Sequence, residues 1–264
     1  MRVARLAWLL FLTTLKRRLA YRGDLLLQGL DELCRGFVAF AMLKVYTSKA
    51  PALAGWTEPQ LLFVLGFAMV PIGLFHCLCG NLYQLSNTYI IQGNLDRVLL
   101  RPYPTFLQIC FDRIAIEDLS GVVLGIALMA YAAARIPGFD ASLPHLALLL
   151  VLLASAFAVI VAVFMAFAAT GFWFEDRVGM VPPVYNLMEF GRWPPSIYHA
   201  KLRWLLTVLI PFSFTAFYPA SLFADPAAGL LGPGLLTPVV AVLALTVSTA
   251  LWRTGIKRYG SAGS

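Results

Sequence analysis

Charge is what this chain has least of: Asp, Glu, Lys and Arg make up 12% of its 264 residues, against roughly 25% in soluble domains. So sparse a supply cannot cover the surface of a water-soluble fold. The 60% of apolar residues and the mean hydropathy of +0.80 place the chain in a bilayer instead. Cysteine is scarce too. Cys34, Cys77, Cys79 and Cys110 all fall in or beside apolar runs, which argues against a secreted disulfide scaffold and predicts free buried thiols. His76 with Cys77 and Cys79 is thin ground for a soft-metal site on spacing alone. No G-x-x-x-x-G-K-[ST] run is present to cradle nucleotide phosphates, and there is neither an H-E-x-x-H nor a nucleophile elbow. The net charge of +7 would suggest nucleic acid in a soluble protein. Here the basic residues punctuate apolar runs rather than form a face, so no nucleic-acid partner is expected.

What is present is a series of six apolar runs, at residues 25–46, 61–83, 114–134, 146–174, 204–223 and 235–252. They predict an all-α integral membrane protein, a single six-span transmembrane domain in contact with the lipid bilayer along its whole length. With an even number of spans both termini share a side. If that side is cytoplasmic, it collects every Lys and Arg except Arg35, Lys44, Lys49 and Arg135, so the positive-inside rule sets both termini inside. The start, MRVARLAWLLFLTTLKRRLAYR, has the basic lead and apolar centre of a signal peptide, but Lys16, Arg17 and Arg18 stand where a cleavage site belongs. Its apolar centre, residues 6–12, is too short to cross a ~30 Å core at ~1.5 Å per residue. Residues 1–24 are therefore expected to lie along the inner interface as a helix, the alternative being a disordered basic lead, with residues 253–264 as a cytoplasmic tail.

The runs are uneven. The fourth repeats small residues every fourth position, at Ala154, Ala158, Ala162, Ala166 and Thr170, and the third carries Gly121 and Gly125; both stripes allow close helix packing, within the chain or against a second subunit. The fifth run has Pro211 in its middle, which predicts a kink. After Phe212 comes FYPASLFADPAAGLLGPG, from Phe217 through Tyr218 and Pro219. It reads either as short helical pieces that re-enter from the outer side near a pathway, or as an outer loop with an aromatic belt. Residues 181–190, fenced by paired prolines, are too short to span and are expected to lie at the inner interface.

One cytoplasmic stretch stands out, GNLDRVLLRPYPTF at residues 93–106. Asn94 is placed to cap a short helix, Asp96 sits in its first turn where the helix dipole favours an anion, and Pro102 stops it. Leu95, Val98 and Leu99 share a face at i, i+3, i+4, and Arg97 and Arg101 form a cationic stripe one turn apart. Such a two-faced helix is either a knob for another protein or an anchor on anionic lipid.

Gly93-x-Leu95-Asp96-x-x-Leu99-x-Arg101-Pro102 followed by Gln108 resembles the loop after the second span in the type-two export permeases of ABC transporters, in their six-span branch. Gly171-Phe-Trp-Phe174, Ile210-Pro-Phe212 leading to Tyr218-Pro-Ala220, and Leu251-Trp-Arg followed by Gly255 and Arg258-Tyr-Gly-Ser-Ala-Gly263 agree with it in order and spacing. The resemblance implies that residues 94–101 form a coupling helix inserted into a groove on a cytoplasmic ABC ATPase dimer, which would hold the ATP and Mg, none being bound by this chain. It also implies an N-terminal elbow helix, a second permease subunit, identical or homologous, and re-entrant pieces after Tyr218. The expected role is a non-enzymatic subunit of the cell's inner membrane that exports an amphipathic or lipid-like substrate.

A different class, the ion-coupled secondary transporter, would draw on intramembrane ionisable groups. Asp31, Glu32 and Arg35 in the first run, His76 in the second, and Glu117 and Asp118 in the third are its candidates. The carboxylates lie within about two turns of the inner boundary, where water or a partner is in reach, and Asp31 is spaced to pair with Arg35.

Overall fold

The computed structural model describes residues 12–13, 22–49, 52–174, 180–226 and 232–260. Most of the expected N-terminal interfacial helix lies outside them. The architecture is helical; among the described residues the one β-type pairing is an isolated bridge between Leu53 and Trp56.

Helix α1 (Arg22–Lys49) is followed by α2 (Glu58–Cys79). Lys44 Nζ lies 2.5 Å from Glu58 Oε1 and ties the end of α1 to the start of α2, while the Gln60 side chain accepts a hydrogen bond from the Thr57 N–H at 2.8 Å, satisfying a donor at the start of α2. The second apolar run does not stop near Tyr83. It continues through a 3₁₀ turn (Gly80–Gln84) and a π turn (Leu85–Ile91), making one helical rod of 34 residues, Glu58–Ile91. At ~1.5 Å per residue that rod is longer than the ~30 Å apolar core, so across a bilayer it must tilt or protrude.

The short α3 (Asn94–Leu99) and α4 (Thr105–Asp112) follow. Then come α5 (Leu119–Ala133) and α6 (Leu143–Ala169), the latter extended by a 3₁₀ turn to Phe172. Helices α2 and α5 cross closely because each supplies a glycine: a Cβ on Gly66 would lie 2.7 Å from the Gly125 carbonyl oxygen, and one on Gly125 would lie 2.7 Å from that of Gly66. In lipid, where apolar side chains gain little by leaving one apolar solvent for another, such backbone approach is a main source of helix association.

Helix α7 (Val181–Met188) covers the short segment between the proline pairs and packs one face on the bundle. Val181, Val184 and Met188 are buried, Val181 sits beside Leu82 and Gly171, and the following 3₁₀ turn (Glu189–Arg192) enters the bundle until Gly191 meets the backbone of Phe212. A residue with no side chain at 191 permits that entry.

The fifth run is α8 (Ala200–Trp204) with a π turn to Leu209, then a 69° bend, then Phe212–Ala224 with α9 (Phe217–Ala224) at its end. The bend falls at Ile210–Pro211, where the proline ring leaves no N–H to continue the ladder. After Pro226 the described chain resumes at Gly232, and α10 (Thr237–Arg258) closes it.

By length and composition four described helices can cross a bilayer, Glu58–Ile91, Ile116–Ala133, Leu143–Phe172 and Pro233–Arg258; the bent pair makes a fifth if it is one span. Helix α1 is long enough, but Asp31, Glu32 and Arg35 in its middle keep it from joining them. The chain is a multi-pass membrane protein. Its core has two centres along α2. One gathers Phe75, Leu82, Leu95, Phe164 and Trp252 near α3 and α4; the other gathers Leu61, Phe63, Leu152, Phe217 and Phe223 at the opposite end.

Candidate functional site

The end of the long rod carries a small, heavily fastened knob. The chain turns at Gln92 and Gly93, and Gly93 takes φ +72°, the left-handed region where glycine meets no Cβ penalty. Glycine, not Asn94, occupies the cap position of α3. Asn94 is its first residue, and its Nδ2 donates to the Thr88 carbonyl at 2.8 Å, fastening α3 to the π turn behind it. The expected cap fails because the preceding helix runs on to Ile91, leaving only two residues for the turn.

The expected apolar face of α3 is split. Leu95 is fully buried and Val98 nearly so, whereas Leu99 is 39% and Leu100 85% exposed. Arg97, Arg101 and Pro102 are exposed beside those leucines, and Asp96, in the first turn, is half-buried. The inner face belongs to the core and the outer one presents two leucines with two arginines.

Underneath, Gln108 of α4 is buried and its Nε2 donates to the carbonyls of Val98 (3.2 Å) and Tyr103 (2.8 Å), tying the end of α3 and the turn after it to α4. Helix α4 is tied to the rod in turn. Asn81 Nδ2 donates to the carbonyls of Ile109 (2.7 Å), Cys110 (3.2 Å) and Arg113 (3.1 Å), and Tyr89 donates to Asp112 Oδ2 at 2.8 Å. Contact with Cys79 and burial push the Cys110 thiol well above its ordinary range, so it stays protonated. Trp252 of α10 donates its Nε1–H to Thr105 Oγ1 at 3.2 Å and meets the rings of Phe106 and Phe172 edge to face, at 5.4 and 5.5 Å. Gly255, one turn further along α10, leaves room for Phe172. Thr105, Phe106, Phe172, Trp252 and Gly255, scattered through the sequence, thus meet at one end of the bundle.

The family model described as ABC-2 family transporter protein matches residues 33–263. The chain belongs to the ABC-2 family. No curated protein and no solved structure matches it. The ABC-2 match begins inside α1 and takes in the knob, the bent pair and α10; the family is a membrane component of transport.

The remaining candidate residues of this ABC-2 chain lie elsewhere. Phe212 is fully buried just past the bend. Pro211 is at the bend itself, Pro219 is buried in α9, and Tyr218 shares a 3.2 Å hydrogen bond with Thr207 across the angle. Gly121 and Gly125 are buried on α5. Ala162 is buried on α6, while Ala158 and Ala166 are half-buried and Ala154 is exposed, so the small-residue stripe is only partly covered by the chain. Of the cysteines, Cys77, Cys79 and Cys110 are buried, but Cys34 is exposed on α1. Three positions escape a reading of the sequence. Leu100 is the more exposed of the knob's two outer leucines, Gly66 is the partner of Gly125, and Gly191 seats the Glu189–Arg192 turn. The last leaves a signal: two opposite charges three apart within an apolar segment fenced by proline pairs.

Proposed function

We propose that this chain is a permease subunit of an ATP-driven exporter in a cell's inner membrane, moving an amphipathic or lipid-like substrate. A separate cytoplasmic ABC ATPase dimer would hold ATP and Mg, and a second permease subunit, identical or homologous, would complete the pathway. In this reading α1 is the first of six spans, both termini and the knob are cytoplasmic as the distribution of Lys and Arg requires, and the pieces after Tyr218 return to the outer side. Membership of the ABC-2 family weighs against the ion-coupled alternative.

One observation carries the docking role. The α3 knob is immobilised on its inner face by Leu95, Val98 and Gln108, and leaves Arg97, Leu99, Leu100 and Arg101 on its outer face. A lever must be stiff where it joins the rod and adhesive where it is pushed. Two leucines rimmed by two arginines suit an apolar groove with an acidic edge, the arginines steering encounter and the leucines supplying contact. The test is co-expression with an ABC ATPase encoded beside this chain: the ATPase should co-purify with the intact chain and be lost when the outer face of α3 is replaced. An intact complex with that replaced chain rejects the docking role.

A further inference from the structure

A cavity of about 480 Å³ lies between α1, α2 and the α7 turn, within the roughly 300–1,000 Å³ usual for small-molecule sites. Along one side run Met42, Leu65 and Met69. Met42 is 54% exposed, so the cavity is open beside α1, where an apolar chain can pass to the bilayer. The other end is polar: Glu189 and Arg192 form an ion pair in the 3₁₀ turn, and Tyr185 and Trp193 stand beside them. Residues three apart in a 3₁₀ turn eclipse one another, which puts both charges on one face. A second cavity of about 480 Å³ also has Glu189, Arg192 and Trp193 in its lining. The pair therefore borders two spaces.

Three features make this a built site. Gly191 is pressed against the Phe212 backbone, which fixes the turn from behind. Arg192 reaches Glu189 through a terminal nitrogen, and its buried Nε has no hydrogen-bond partner among the described residues. The pair is neutral as a whole. A purely anionic headgroup on Arg192 would stand against the Glu189 carboxylate, and two like charges side by side oppose binding. A headgroup with both signs replaces each partner at once, and its cation gains the faces of Tyr185 and Trp193.

We propose that this cavity binds a single-chain zwitterionic amphipath, its anionic group on Arg192, its cationic group between Glu189 and the two rings, and its chain along Met42, Leu65 and Met69. The inference deepens the transport reading by naming a substrate class, and rests on that reading only for the movement of the lipid once bound.

The experiment uses the purified full chain in a neutral maltoside detergent and equilibrium binding of radiolabelled lysophosphatidylcholine, a zwitterion, and lysophosphatidylglycerol, an anion. The intact chain should bind the zwitterion about tenfold more tightly. Glu189→Gln should reverse the order, because Arg192 then lacks its counter-charge. Trp193→Leu, which leaves both charges in place, should weaken lysophosphatidylcholine severalfold and spare lysophosphatidylglycerol. Melting curves of each variant identify those that fold. Equal binding of the two lipids by the intact chain, or an order unchanged in both folded variants, overturns the proposal. No ATPase enters the measurement, so failure here leaves the docking knob standing, and a knob that binds no ATPase leaves this site standing.

Discussion

Helix Glu58–Ile91 hides 72% of its most apolar stretch inside the chain, whereas Pro233–Arg258 hides 22% of its own, although their mean hydropathies are close, 2.3 and 2.0. Hydropathy selects helices that tolerate lipid and says little about which of them face protein. What separates the two is where small residues permit backbone contact. The rod meets α5 at Gly66 and Gly125 and has Gly73 packed against Asp118 and Val122. The last helix buries a narrow stripe, Thr237, Ala241, Ser248, Trp252 and Gly255, and turns Val239, Val242, Leu243 and Val247 outward. The first is an internal axle; the second has a free flank for lipid or another subunit.

The contrast can be broken most strongly at the axle. Gly66→Leu forces a side chain into the Gly125 carbonyl and should destabilise the chain by about 3 kcal/mol, at the upper end of overpacking effects; the measurement is thermal unfolding in detergent, and a melting point near that of the intact chain would mean that the helices do not touch there. Gly191→Ala should cost about 2 kcal/mol by the same mechanism, its Cβ meeting the Phe212 backbone. Gln108→Ala leaves the carbonyls of Val98 and Tyr103 without their side-chain donor, at about 1–2 kcal/mol. Amide hydrogen exchange should accelerate in residues 95–101 and not in α5.

The smallest effect is expected on the free flank. Val242→Ala with Leu243→Ala should change the stability of the single chain by about 0.5 kcal/mol or less. The same pair sharpens the comparison when oligomeric state is read in mild detergent: a shift from dimer to monomer assigns this flank to a second subunit, and no shift assigns it to lipid.

Much of this architecture is legible in the sequence, because apolar run length, the glycines of α5 and the proline at 211 each act locally. The 69° bend lies where Pro211 forbids continuation. The knob is legible as a helix but not in its detail, since which of Leu95, Val98, Leu99 and Leu100 turn inward is decided by α4 packed beneath, and the helix period of so short an element gives no depth. The extension of the rod through Ser86, Asn87 and Thr88 is hidden because three polar residues at the end of an apolar run read as a loop. The entry of the Glu189–Arg192 turn into the bundle rests on a contact between Gly191 and Phe212, 21 positions apart, and no local pattern reports such a contact. The charges of α1 leave its membership of the spanning set to be decided by what surrounds it.

The most direct test of the account is affinity between the ATPase and a chain carrying Arg97→Glu, Leu100→Asp and Arg101→Glu. All three side chains are exposed, so the fold should melt as before. The account predicts that ATPase binding falls by at least about a hundredfold, the loss of some 2.7 kcal/mol. An affinity equal to that of the intact chain would contradict it.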